Sequence, residues 1–179
     1  AIPFESWEQR LTGPEVLVLE LASGSGRLSQ QFSRDQIKAV PVDRMRSNFP
    51  REVPTFVGDL TEERVQEYLW DWVRTGRVVH VHMSCPGTSF DRNRGATRVR
   101  VRRKGAPPTR DLRDDAHPWG RPERTDEDPD GLTAFERAKV DADNSVVRFY
   151  LALAEECHET AGPLADQSIT WTLEAKADS

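Results

Sequence analysis

Cysteine is scarce: Cys85 and Cys157 are the only two in 179 residues, with no Cys-x-x-Cys and no His/Cys ligand spacing. A zinc site is therefore not expected, and a reducing intracellular setting is; one disulfide remains open. No apolar run approaches the roughly 20 residues needed to span a bilayer. The N-terminus carries no basic-then-apolar leader, so a soluble protein with no membrane partner is expected. The chain starts Ala1-Ile2-Pro3 without a Met, which reads as processing or as excision from something longer. Excess positive charge is also missing. Lys and Arg total 25 against 30 Asp and Glu, a net charge of -5, so any nucleic-acid contact must use a local patch. Internal repeats are absent. With 36% hydrophobic and 31% charged residues, the composition suits one modest core with a large polar loop, and the length suits a single domain over 1–179.

What is present is organised around Val16-Leu17-Val18-Leu19-Glu20-Leu21-Ala22-Ser23-Gly24-Ser25-Gly26. The apolar run reads as a buried strand, followed by a small-residue turn and a helix-compatible segment from about Leu28. Glycines at 24 and 26 permit turn torsions closed to other residues and let a ligand approach backbone N–H groups. The pattern lacks the third glycine of a dinucleotide fingerprint, and a tight surface turn is an equal alternative. Upstream, Phe4, Trp7 and Leu11 have the spacing of a short helix.

Downstream the chain alternates. Ile37 to Val42 reads as a second strand ending at Asp43, about 20 positions past the turn, where an acid can accept from ribose hydroxyls; a solvent-facing strand-end aspartate explains it equally well. A short third strand ends at Asp59. Thr61 is placed to cap a helix whose apolar stripe is Val65, Tyr68, Leu69, Trp72 and Val73, with Gly76 as its stop. A fourth strand, Arg77 to Met83, carries His80 and His82 on one face, read as hydrogen-bonded histidines and not as metal ligands; no metal site is expected. Thr133-Ala134-Phe135-Glu136 forms a capping box that opens a long helix through Cys157 toward Gly162. Ser168 to Leu173 reads as a fifth strand ending at Glu174.

Strands alternating with helices predict an α/β fold with a doubly wound, Rossmann-like, mostly parallel sheet of about five strands. Between Asp91 and about Leu132 the rhythm stops, predicting a long irregular insertion after strand four. Its first half holds Arg92, Arg94, Arg98, Arg100, Arg102, Arg103 and Lys104, followed by an acidic half. The basic half either binds nucleic-acid phosphates or pairs with the acidic half.

Together these strand ends resemble the cofactor-binding half of class I S-adenosylmethionine-dependent methyltransferases, in particular the DNA cytosine-5 methyltransferase-like proteins. Glu20 to Gly26 resembles the first motif, D-L-F-x-G-x-G, with Glu for Asp and Ala22 at the aromatic position. Ser84-Cys85-Pro86-Gly87-Thr88-Ser89-Phe90-Asp91-Arg92-Asn93-Arg94 resembles a G-P-P-C-x-x-F-S-R-x-R motif of a divergent branch. Leu112 to Gly120 resembles that branch's L-R-S-x-x-H-P-x-G, and Leu173 to Ser179 its L-E-N-P-x-x-S. The resemblance implies an S-adenosyl-L-methionine pocket from Glu20, Ala22, Gly24, Gly26, Asp43, Arg44, Asp59, Leu60 and Ser84. Asp43 would hold the ribose, and Asp59 and Leu60 the adenine. It implies a DNA partner and a target base held by Glu174.

The chemistry is where the chain departs from that pattern. Gly87 stands at the nucleophile position, and Ala175-Lys176 replace Asn-Pro. Attack on the cytosine ring needs a thiolate, for which Cys85 is the nearby candidate, with a small buried cysteine as the alternative. An amine target would need no thiolate, and Ser84 would then hold the amine. The competing expectation is a non-catalytic descendant, a pseudoenzyme that binds nucleic acid or a protein partner, or a second copy of itself across the open sheet edge. A Rossmann-type oxidoreductase is disfavoured by the missing glycine and the Ser-Cys-Pro-Gly loop.

Overall fold

A computed structural model describes residues 6, 15–44, 50–84, 89, 111–160 and 168–174. The expectations for Phe4, Trp7 and Leu11, for Cys85 and Gly87, for the basic run from Arg92 to Lys104 and for Ala175-Lys176 fall outside those residues. The chain forms two compact units, one from Ala1–Ser84 with Arg148–Glu174 and the other from Cys85–Val147 with Ala175–Ser179.

The first unit holds a five-stranded parallel sheet. Its strands are β1 (Leu17–Leu21), β2 (Lys38–Asp43), β3 (Phe56–Val57), β4 (Val78–Ser84) and β5 (Thr170–Glu174), in the order β3-β2-β1-β4-β5. The described helices are α1 (Arg27–Arg34), α2 (Glu63–Arg74) and α3 (Ala134–Glu159). The fold is α/β, and the strand order is compatible with a Rossmann-like arrangement. All of β1 is buried, because it is paired on both edges and parallel sheets are covered on both faces, which is why it reads as an apolar run without strict alternation.

Side-chain alternation then divides the sheet. Leu17, Leu19 and Leu21 share one face with their register partners Val40, Val42, Val81 and Met83, and all of these are buried. The other face carries Val18 and Glu20 on β1, and His80, His82 and Ser84 on β4. β5 is exposed along its whole length, Trp171 and Leu173 included.

Helix α2 buries Val65, Leu69 and Val73, every fourth residue along one stripe. It ends where Gly76 takes a left-handed φ of 68°, as expected of a helix stop. Its start differs from the sequence expectation: Glu62 is the N-cap, with no side-chain cap, and Thr61 instead donates its N–H and Oγ1 hydrogen to Asp59 Oδ1 at 3.0 and 2.8 Å. Asp59 competes for the hydroxyl because aspartate closes such turns on the backbone two residues on. The capping box forms: Thr133 N–H donates to Glu136 Oε2 at 2.9 Å and Glu136 N–H to Thr133 Oγ1 at 3.3 Å.

Helix α2 lies against the C-terminal half of α3. Trp70 meets Phe149 edge-on at 5.9 Å, and the Arg74 guanidinium makes two 3.1 Å bonds to Glu156. Cys157, on the same half of α3, is fully buried, which pushes its thiol up to about 12. No described helix is long and apolar enough to cross a membrane.

In the second unit Leu112, Leu132 and Val140 form a small core. Gly120, at φ 112°, lets the chain pass where a Cβ would lie 2.4 Å from Val140 Cγ1. Arg113 ties the segment together, donating to Pro118 O at 2.7 Å and to Ser89 Oγ at 2.8 Å. Ser89 in turn donates its N–H to the buried Asp143 carboxylate at 2.7 Å. The acidic stretch is paired locally: Asp114 with His117 and Arg121, and Glu123 with Arg137. The His117 hydrogen bonds, joined by the nearby Arg121 charge and opposed by burial, hold the Asp114 carboxyl below the usual carboxylate range.

The turn from β1 to α1 places Ala22, Gly24 and Gly26 at positive φ, 53°, 59° and 76°. A Cβ at Gly26 would lie 2.6 Å from Val53 Cγ2, so this glycine permits both a torsion and a close approach. Gly26→Ala should destabilise the protein by about 2–3 kcal/mol, part from the left-handed torsion and part from the collision. Adding Val53→Ala should relieve only the collision and leave the double variant about 1 kcal/mol better than additive. Strict additivity in urea unfolding would refute the contact.

Candidate functional site

Parallel strands all end on one side, so the residues closing β1, β2, β4 and β5 collect along one edge of the sheet. Glu20, Asp43, Ser84 and Glu174 stand there, each predicted from sequence, with Asp59 two residues beyond β3. Order along the sheet reverses between β1 and β4, where open α/β sheets form their ligand crevice.

Glu20 is the best-fixed member. It is 4% exposed, and Oε2 accepts from Ser29 N–H at 2.8 Å and from Ser29 Oγ at 2.5 Å. The carboxylate thus closes the first turn of α1, taking up N–H groups that a helix start leaves open. Burial raises its pKa above the usual carboxylate value, and the Ser29 bonds and the nearby His82 offset this only in part.

The turn is bonded once within itself and twice to neighbouring segments. Ser23 N–H donates to Val42 O at 3.1 Å and Gly26 N–H to Ser23 O at 2.9 Å, while Ser25 O accepts Glu52 N–H at 2.8 Å. The glycine at 26 therefore serves a chain crossing as well as a torsion. Ser23 Oγ is buried and has no hydrogen-bond partner among the described residues. Sequence reasoning passed over this side chain, because a serine between two turn-forming residues carries no distinguishing pattern.

Asp43 is half-buried at the end of β2, and its Oδ1 accepts Arg44 N–H at 2.9 Å. Asp59 Oδ1 is occupied by Thr61, and Leu60 is buried, with its carbonyl accepting Gln66 Nε2 at 2.7 Å. On β4, the Ser84 carbonyl accepts the Tyr150 hydroxyl at 3.1 Å. Ser84 Oγ lies 3.5 Å and Glu174 Oε2 3.4 Å from His82 Nε2.

Both histidines face threonines of β5. His80 Nδ1 meets Thr170 Oγ1 at 2.8 Å and Nε2 meets Thr172 Oγ1 at 3.2 Å, and His82 Nδ1 meets Thr172 Oγ1 at 2.8 Å. Burial, then the neighbouring His82, holds the His80 pKa down. Among the described residues no three His, Cys, Asp or Glu side chains converge as a metal site would require. Cys85 and the basic residues Arg92, Arg94, Arg98, Arg100, Arg102, Arg103 and Lys104 lie outside the described residues. Comparison with family models, with curated proteins and with solved structures gave no match for this chain.

A carboxyl whose folded pKa is raised holds its proton more tightly folded than unfolded. Its stabilising contribution is complete below the unfolded value and is lost as pH rises through the raised folded value. Glu20→Gln keeps an acceptor for Ser29 without the buried charge. Its melting temperature relative to wild type should therefore climb between about pH 4 and pH 7. A difference that stays flat or falls over that range, in parallel thermal melts, would contradict the buried-charge assignment.

Proposed function

We propose that this chain is an S-adenosylmethionine-dependent methyltransferase-like protein of the cytosine-5 branch, acting on nucleic acid, DNA foremost, with altered or lost catalysis. On this reading the sheet belongs to a doubly wound, Rossmann-like domain carrying a charged insertion after β4. The observation that carries the reading is the orphaned Ser23 hydroxyl in the glycine turn at the end of β1. A buried polar atom without a partner is uncommon and calls for an explanation, and a ligand lying against this turn supplies one. The half-buried Asp43, one strand away, has the chemistry to accept from a ribose, and Asp59 with the buried Leu60 continues the row.

These residues fit an adenosine-containing cofactor with an amino-acid tail. Asp43 would hold sugar hydroxyls, the turn from Ala22 to Gly26 the tail, and Asp59 and Leu60 the base. The cofactor would supply an electrophilic methyl group. Gly87 favours the second reading, a non-catalytic module on the same fold, because it offers no thiol where the resemblance requires one. The arginine-rich run would provide the local basic patch that a chain of net charge -5 needs in order to hold nucleic acid.

Calorimetric titration with S-adenosylmethionine and S-adenosylhomocysteine tests the pocket. Micromolar-range binding is expected, with Asp43→Ala losing it and Ser23→Ala weakening it about 2- to 10-fold, the worth of one hydrogen bond. No heat with either ligand would remove the cofactor reading.

The nucleic-acid partner is tested separately. Duplex DNA should bind with an affinity that falls steeply as salt rises, and replacing Arg100, Arg102 and Arg103 with Ala should flatten the log–log slope by about 2–3. A salt response unchanged by the triple variant would exclude the arginine-rich run as the contact.

A further inference from the structure

The strand register lines up a polar row on one face of the sheet. His80 pairs with Thr170 and His82 with Thr172 across β4 and β5, while Glu20 of β1 pairs with His82 from the other side. One step nearer the edge, Ser84 pairs with Glu174. Residues directly opposite in adjacent strands point the same way, so these side chains form a ladder.

Proton counting gives the ladder a direction. The Val79 carbonyl can only accept, so the 3.0 Å contact from Thr170 Oγ1 uses the single hydroxyl hydrogen of Thr170. At 2.8 Å from that oxygen, His80 Nδ1 must be the donor. Burial lowers the His80 pKa and so favours the neutral ring, whose other nitrogen is an acceptor. Thr172 then gives its hydrogen to His80 Nε2 at 3.2 Å. With that hydrogen used, Thr172 Oγ1 can only accept from His82 Nδ1 at 2.8 Å. His82 is therefore an Nδ1–H tautomer, whatever its charge. Nε2 is the atom left to gain or lose a proton, with Ser84 Oγ at 3.5 Å and Glu174 Oε2 at 3.4 Å.

We propose that His82 Nε2 is a proton-accepting site at the carboxyl edge of the sheet, for a neutral or cationic ligand group bearing N–H or O–H, its tautomer set through Thr172, His80 and Thr170 by the Val79 carbonyl. Among the described residues, the charged and titratable groups around it are Glu20 on β1, His80 on its own strand and Glu174 on β5. Two carboxyl groups beside the imidazole disfavour an anion and favour a hydroxyl or amine that donates. When His82 gains a proton, its Nε2–H points to Glu174 and the acceptor is lost. This inference does not depend on the cofactor reading, since every atom in the ladder belongs to the chain.

Long-range proton–nitrogen NMR of the full ¹⁵N-labelled chain tests it without a ligand. His82 should show the Nδ1–H pattern in its neutral form. Thr170→Val, three hydrogen bonds away along the ladder, should shift His82 toward the mixed tautomers of a free imidazole, and Thr170→Ser should restore the wild-type pattern. Diethyl pyrocarbonate, which acylates an imidazole nitrogen bearing a lone pair, should modify His82 and spare His80, with His80 becoming reactive in Thr170→Val. An Nε2–H tautomer at His82, a folded Thr170→Val protein with unchanged His82 signals, or modification of His80 ahead of His82 would each overturn the proposal. Loss of cofactor binding in the calorimetric experiment would leave all of these readouts intact.

Discussion

The interaction on which the rest of the described structure depends is the bond between a buried carboxylate and the start of a helix. β1 is hydrogen-bonded along both edges and has no exposed residue, so a charge within it must find partners on its own face. Glu20 finds them in the N–H and hydroxyl of Ser29. This fixes α1 over the end of β1 and sets the span that five turn residues must cover. A chain reversing in so few residues needs left-handed torsions, and they occur at Ala22, Gly24 and Gly26. Ala22 is the costly one, because a Cβ disfavours that torsion; the bonds from Ser23 and Gly26 N–H hold the turn against the strain.

The parallel arrangement gives this turn its company. Strands that all run one way expose their last residues together, so the acids closing β1, β2 and β5 share an edge although more than a hundred residues separate Glu20 from Glu174. Neither charge nor hydropathy alone would assemble them. What does is the pairing register, which sets Glu20 opposite His82, and Ser84 opposite Glu174. The same register leaves Trp171 and Leu173 exposed on β5, on the face where β1 and β4 place buried leucine, valine and methionine.

Much of this was legible from the chain. The strands were read from apolar runs bounded by turn residues, and their ends fell within a few residues of those found. Asp43 closes β2 where the spacing put it, and Glu20 and Ser84, singled out by the resemblance, lie at the ends of β1 and β4. The misses have local causes. Thr61 looked like a helix cap because the pattern around it is that of one, but the aspartate two residues earlier closed a tighter turn first. At Gly26 the structure adds to the expected turn torsion a chain crossing at Val53 that no local pattern encodes. Ser23 was silent because its distinguishing property, a buried hydroxyl without a partner among the described residues, exists only after folding.

The His and Thr ladder shows most plainly what a single sequence withholds. His80 and His82 were visible as neighbours on one strand face, and threonines at 170 and 172 as strand formers. That they meet is a statement about register across ninety residues. Once they meet, the chemistry follows from counting hydrogens: each hydroxyl has one, each neutral imidazole has one, and a carbonyl has none. A row of four side chains with four mobile hydrogens, anchored at one end by an oxygen that can only accept, has one consistent assignment. Such a row can stand near a sheet edge without orphaned polar groups, because every member but the last is satisfied within it. The last member, His82 Nε2, therefore concentrates the reactivity of the row at the edge where the strand ends converge.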